Sequence, residues 1–126
     1  MAKEETNISN RVRLKLSRLC RTFRNNVGLF TTISGDKIRT GLCKGSSDLI
    51  GWTTVEVTPD MVGKKVAIFM GIEIKSSKGR MSKAQIKFAE NVNDAGGIAF
   101  MARSPEEAEE KLTSRIKDLQ NARSNR

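Results

Sequence analysis

Residues 64–76, KKVAIFMGIEIKS, followed by 82–95, SKAQIKFAENVNDA, and 97–103, GIAFMAR, decide the fold. The first run is apolar and rich in β-branched residues. It is expected as the longest strand, at the centre of a sheet and covered on both faces. The second carries Ala84, Ile86 or Phe88, Ala89, Val92 and Ala95 at helical spacing as an expected core face, with Ser82 as cap and Gly96-Gly97 as stop. The third is again fully apolar and reads as a strand. Strand, helix and strand in that order predict a right-handed parallel crossover, and with it an α/β fold: a mixed β-sheet flanked by helices, in a single domain.

Outward from this unit, Ile8, Val12, Leu16 and Leu19 recur at helical spacing and predict a helix over residues 6–20. Glu5 lies on the same stripe, one turn earlier. A carboxylate on the inward side of a first turn needs a reason, either a ligand or complementation of the helix dipole. Residues 22–29 read as a strand running into the turn signal Asn25-Asn26-Val27-Gly28, and residues 30–40 as a hairpin-like loop around Ser34-Gly35-Asp36. Residues 46–52, SSDLIGW, form a short strand, and the alternation over 53–57 stops at Pro59. Ser104-Pro105-Glu106-Glu107 opens a last helix with a capping residue, proline at the first position and acids in the first turn. That helix fades into a polar tail over residues 121–126.

At 126 residues the chain is expected to be one domain without internal repeats. It has 23 Lys+Arg against 14 Asp+Glu, a net charge of +9, and no histidine. Serine and cysteine mechanisms that need imidazole are thereby excluded, as are histidine general bases and zinc sites with histidine ligands. Catalysis would have to use carboxylates, lysine or a metal on oxygen ligands. The basic residues fall in acid-free blocks, Arg11 to Arg24 and Lys75 to Lys87, which points to a polyanion partner rather than an evenly solvated surface. Cys20 and Cys43 have no CxxC spacing, the N-terminus has no apolar run, and no stretch approaches the roughly 20 residues that span a bilayer. A reduced cytoplasmic setting with no membrane partner is expected. With five Phe and one Trp, a stacking platform for single strands is not.

Asp48 opens the short strand, and 25 residues later Glu73 and Lys75 alternate with Ile72 and Ile74. Alternation places Glu73 and Lys75 on one face of the strand and the two isoleucines on the other. A charged pair beside an apolar core is either at a water-exposed strand end, paired with itself, or directed at a ligand. Two carboxylates and a backbone carbonyl suit Mg²⁺, which keeps several waters and binds through few carboxylates. A lysine two positions on can orient the attacking water or neutralise developing charge, so the chemistry available is metal-assisted phosphodiester hydrolysis.

Gly45-Ser46-Ser47-Asp48-Leu49-Ile50-Gly51, Gly71-Ile72-Glu73-Ile74-Lys75, Ser82-Lys83-Ala84-Gln85 with Phe88, and Gly96-Gly97-Ile98-Ala99 together resemble the VRR-NUC branch of the PD-(D/E)xK nucleases. The resemblance covers about residues 5–108, leaving 109–126 as C-terminal helix and tail. It departs at Ser47, where the family has proline before its aspartate. The resemblance implies a restriction-endonuclease-like fold, with Asp48, Glu73 and the Ile74 carbonyl holding Mg²⁺ or Mn²⁺. It makes Lys75 the catalytic lysine and Glu5, the helix-one acid, a further metal ligand, with Glu4 as the competing assignment. Gln85 would position Lys75 or a substrate phosphate, or else be a helix-surface amide. Arg24, Asn25, Lys44, Lys78, Arg80 and Lys83 are the candidates for DNA phosphate contacts.

The function implied is a metal-dependent DNA endonuclease. The chain has no helix-turn-helix or zinc-finger pattern, so selection by DNA shape is expected over selection by sequence. Two cuts need two active sites, which a two-fold homodimer supplies; a branched, junction-like substrate is the corresponding expectation. Organisation of this kind fits a bacterial or phage-encoded protein. Two alternatives stand beside it: a non-catalytic basic architectural protein with a structural acidic pair, and a sequence-specific restriction-type enzyme on the same fold.

Overall fold

The computed structural model describes residues 2–120, so the tail expected over 121–126 lies outside the described residues. Helix α1, Ala2–Lys15, begins with Glu4 and Glu5 and ends with Arg13 and Lys15, charges that complement the helix dipole at both ends. It starts earlier than residue 6, and beyond Lys15 the chain continues in hydrogen-bonded turns, with the Cys20 N–H donating to the Leu16 carbonyl at 3.1 Å. The strand expected over 22–29 is divided: β1 is Arg21–Arg24 and β2 is Gly28–Thr31, separated by the predicted turn residues. Strand β2 forms a hairpin with β3, Lys37–Thr40, closed around the Thr32–Asp36 hydrogen bond of 2.7 Å. Strand β4, Leu49–Trp52, pairs antiparallel with β1, and Phe23 and Trp52 place their rings 5.4 Å apart. Residues 53–57, expected to alternate as a strand, form none.

Contacts gather into two compact units, Met1–Glu56, just described, and Val57–Arg126. The second contains the crossover. Strand β5, Met70–Ile74, lies parallel to β6, Ile98–Ala102, with Met70 opposite Ile98 and Ile74 opposite Ala102; helix α2, Lys83–Asp94, connects them. Helix α3, Pro105–Gln120, follows. Among the described residues, one parallel and two antiparallel strand pairs with three α-helices make the chain α/β. No helix among the described residues is long and apolar enough to cross a membrane.

Two sequence expectations for β5 fail for identifiable reasons. The strand is five residues long, not thirteen, because its ladder partner is bounded by Gly96-Gly97 on one side and the start of α3 on the other. Val66 and Ile68 precede the ladder and are exposed. Nor is the strand covered on both faces. Gly71, Glu73 and Lys75 are partly buried while Met70, Ile72 and Ile74 are exposed, because α2 packs on the face where Gly71 has no side chain. A Cβ at Gly71 would stand 3.4 Å from the Phe88 ring. The core is small and centred on β6 and α2: Val92, Ile98, Ala99 and Ala102.

The ends of α2 follow the sequence closely. Ser82 and Gln85 form a reciprocal capping box, at 3.1 Å for Gln85 N–H to Ser82 Oγ and 2.9 Å for Ser82 N–H to Gln85 Oε1. At the other end Gly96 adopts φ 99°, its N–H donates to Asn93, and the Gly97 N–H donates to the Val92 carbonyl at 2.9 Å. This is a Schellman closure, which favours glycine in the left-handed position.

Candidate active site

Glu73 and Lys75 leave β5 on the α2 side. Lys75 Nζ stands 3.4 Å from Glu73 Oε1, and the side chains are 21% and 35% exposed, so the pair is partly withdrawn from water without being dry. The same Oε1 accepts a hydrogen bond of 2.9 Å from Gln85 Nε2. Gln85 therefore meets the carboxylate, and it is not a helix-surface amide. It shares the covered side of α2 with Ala89 and Val92, four and seven positions on, a spacing visible in the sequence.

The backbone adds an oxygen. The Phe69 carbonyl accepts from Ile98 N–H at 3.0 Å and the Lys75 N–H donates to the Ala102 carbonyl at 3.1 Å. Alternate residues in a parallel ladder turn both backbone groups to the same neighbour, so the odd-numbered residues of β5 face β6. The Ile74 carbonyl consequently points away from β6. A carboxylate and a free-facing carbonyl are hard donors of the kind that hold Mg²⁺ or Mn²⁺. Among the described residues no three His, Cys, Asp or Glu side chains converge. That sparse set still fits an ion that retains several waters.

In the first unit Asp48 is exposed at the start of β4, and the loop before it is organised by Asn25. Asn25 is 7% exposed, the one buried polar residue among those described. Its amide donates to Ser46 Oγ at 2.7 Å and the Ser47 carbonyl at 2.9 Å, and its oxygen accepts from the Leu42 N–H at 2.8 Å. Its own N–H donates to the Asp48 carbonyl at 2.9 Å, continuing the β1–β4 ladder by one rung. Asn25 was expected to touch phosphate. With both amide donors and the acceptor engaged inside the protein, it instead shapes the loop that presents Asp48.

Arg24 is exposed and donates to Asn10 Oδ1 at 2.8 Å. Lys44, Lys78, Arg80 and Lys83 are exposed, as phosphate contacts would require. Glu4 and Glu5 are both exposed on the first turn of α1, so the inward position expected of Glu5 is not found. The stripe it was assigned to is itself open to water, with Ile8 51% exposed.

Sequence reasoning missed Arg103. Its guanidinium Nη1 donates to the Ser76 carbonyl and, at 2.8 Å, to the Gly79 carbonyl, holding the turn that follows Lys75. Arg103 was legible only as the last residue of an apolar strand. Nothing local marks a side chain that bonds to carbonyls more than twenty positions away.

Compared with known families, the chain matches the VRR-NUC domain over residues 11–106. The matched stretch contains Asp48, Glu73, Lys75, Gln85 and Arg103 and begins after Glu4 and Glu5. No curated protein and no solved structure matches the chain.

Proposed function

The chain belongs to the VRR-NUC domain family and is a nuclease of the restriction-endonuclease-like type with DNA as its partner; we propose that it is a divalent-metal-dependent endonuclease worked by Glu73, Lys75 and Gln85. The observation that carries this is the convergence of Lys75 Nζ and Gln85 Nε2 on one oxygen of Glu73, at 3.4 and 2.9 Å. A hydrogen bond from Gln85 and an ion pair with Lys75 engage that oxygen and leave the second oxygen of the carboxylate for a ligand. Glu73 and the Ile74 carbonyl are the residues of the second unit to hold Mg²⁺ or Mn²⁺. Such an ion, when bound, polarises a phosphoryl group and lowers the pKa of a coordinated water.

The remaining work falls to the chain. Lys75 has three ammonium donors and directs one at Glu73, which leaves two for the attacking water and a non-bridging phosphate oxygen. Gln85 keeps Glu73 from rotating, because its own amide is tied to the cap of α2. Lys78, Arg80 and Lys83 follow Lys75 closely and supply phosphate contacts that position the backbone without reading bases.

We further infer a branched substrate and a homodimer. Their support is the absence of a sequence-reading motif and the need for two sites to make two cuts. The decisive experiment is cleavage of a four-way junction, a flap and a linear duplex with Mg²⁺, Mn²⁺ or EDTA. Wild type should cut only with metal and cut the junction fastest, while Asp48→Ala and Lys75→Ala bind DNA without cutting. Persistent cleavage by purified Lys75→Ala overturns the site. Equal rates on junction and linear duplex, or a monomer on DNA in sedimentation, overturn the substrate and assembly.

A further inference from the structure

Arg103 connects the beginning of α3 to the turn that supports Lys75. Its backbone N–H donates to Glu107 Oε2 at 3.0 Å, Glu107 pairs with Lys111 at 2.8 Å, and Lys111 donates to the Met101 carbonyl at 2.6 Å. Ser104 Oγ accepts from the Glu107 N–H at 3.1 Å. The backbone of Arg103 is therefore fixed from the α3 side, and its side chain reaches back to the carbonyls of Ser76 and Gly79.

Those carbonyls belong to one turn, closed by the Gly79 N–H donating to Ser76 at 3.1 Å. Gly79 lies against the stem of Lys75. A Cβ built on it would stand 3.4 Å from both Lys75 Cβ and Cδ and 3.3 Å from Ser76 Oγ. The turn is a wall behind the lysine, and Arg103 is what holds the wall to the end of β6. The Lys75 N–H is bonded to Ala102, the residue before Arg103, so backbone and stem are anchored from adjacent positions.

We propose that Arg103 is a positioning residue for Lys75: by clamping the Ser76–Gly79 turn it keeps the lysine stem in place and its ammonium at Glu73. It rests on Lys75 serving the reaction as proposed above. Arginine suits the task because one planar guanidinium can donate to two carbonyls at once without being deprotonated. Lysine at this position retains the charge and three donors but has a shorter reach, so it restores part of the clamp.

The test compares Arg103→Gln, Arg103→Lys and Lys75→Ala in full-length protein on a DNA duplex or junction the wild type cuts. It reads kcat, KM, DNA affinity in EDTA and amide exchange at Gly79. Arg103→Gln should lower kcat on the order of 10- to 100-fold, the range for small displacements of a reacting group. DNA affinity should stay within about threefold and Gly79 exchange should quicken. Arg103→Lys should recover part of kcat, which guards against a variant that merely misfolds. A wild-type kcat in Arg103→Gln overturns the proposal, as does a loss confined to DNA affinity with a shallower salt dependence, which would make Arg103 a phosphate contact. Undiminished cleavage by Lys75→Ala is the separate outcome that overturns the site itself. Lys75→Ala inactive with Arg103→Gln unaffected sinks only the clamp.

Discussion

Gln85 Nε2 donates to Glu73 Oε1 at 2.9 Å while Gln85 Oε1 accepts from the Ser82 N–H at the same distance. One amide thus closes the N-terminus of α2 and fixes the carboxylate on β5. Either bond alone would settle which way the amide faces, and the two agree. A helix cap that elsewhere serves stability alone is here joined to the site, so the register of α2 over β5 determines how Glu73 is presented.

That dual use predicts a separation between two substitutions. Gln85→Glu retains an oxygen for the Ser82 N–H but sets a second carboxylate against Glu73 in place of a donor. It should keep the helix cap but lose most cleavage near neutral pH. Neighbouring carboxylates raise each other's pKa, so the acid limb of its pH–rate profile should move to higher pH. Gln85→Ala removes both bonds and should lower stability by about 1 kcal/mol, the usual scale for a lost cap. Thermal melts with pH–rate profiles check both. Wild-type cleavage by Gln85→Glu would remove Gln85 from the site.

Asn25 supports a second prediction. Asn25→Ala takes from the Leu42 N–H and the Ser47 carbonyl a part-buried partner, which should cost about 1 kcal/mol. Cleavage should fall because the loop carrying Asp48 loosens, while the salt dependence of DNA binding stays unchanged. A shallower salt slope in Asn25→Ala would restore the phosphate contact expected from sequence.

What could be read in advance divides along physical lines. Local rules reported local structure well: the Ser82 and Ser104 caps, the Gly96-Gly97 stop, and the alternation that puts Glu73 and Lys75 on one face. Whether that face was covered was not local. It depended on Gly71 admitting Phe88 and α2 to one side of β5, whereas apolar content alone implies cover on both. Strand length was likewise set by the partner, since β6 ends where its neighbours turn. Asn25 and Arg103 bond to backbone groups distant in sequence, and a residue type carries no record of such partners. Family resemblance supplied Gln85 as a candidate, but the bond from Gln85 to Glu73 became visible only with α2 placed over β5.

The exposed cations after β5 make a prediction about binding alone. Replacing Lys78, Arg80 and Lys83 one at a time by alanine should weaken DNA binding for every sequence alike. Each phosphate contact removed should flatten the slope of log affinity against log salt by about 1. Titrations at several salt concentrations measure this. An unchanged slope in all three variants would confine these residues to solvent and move the DNA path elsewhere.

Glu107 yields a pH prediction. The hydrogen bond from Lys111, with the Arg103 N–H second, holds its carboxyl below the ordinary value of 4.5. A carboxylate whose folded pKa is depressed adds stability above its unfolded pKa and loses it as pH falls through the lower folded value. Wild type should therefore lose stability progressively below about pH 4.5, the unfolded reference. Glu107→Gln should start less stable at neutral pH and lose less on acidification, so the two curves converge. The same acidification should quicken exchange of the Arg103 amide, because a protonated Glu107 accepts that bond more weakly. Parallel melting curves for wild type and Glu107→Gln through this window would show that the Lys111–Glu107–Arg103 chain does not anchor the start of α3, and the fixed backbone on which the Arg103 clamp depends would have to come from Ser104 alone.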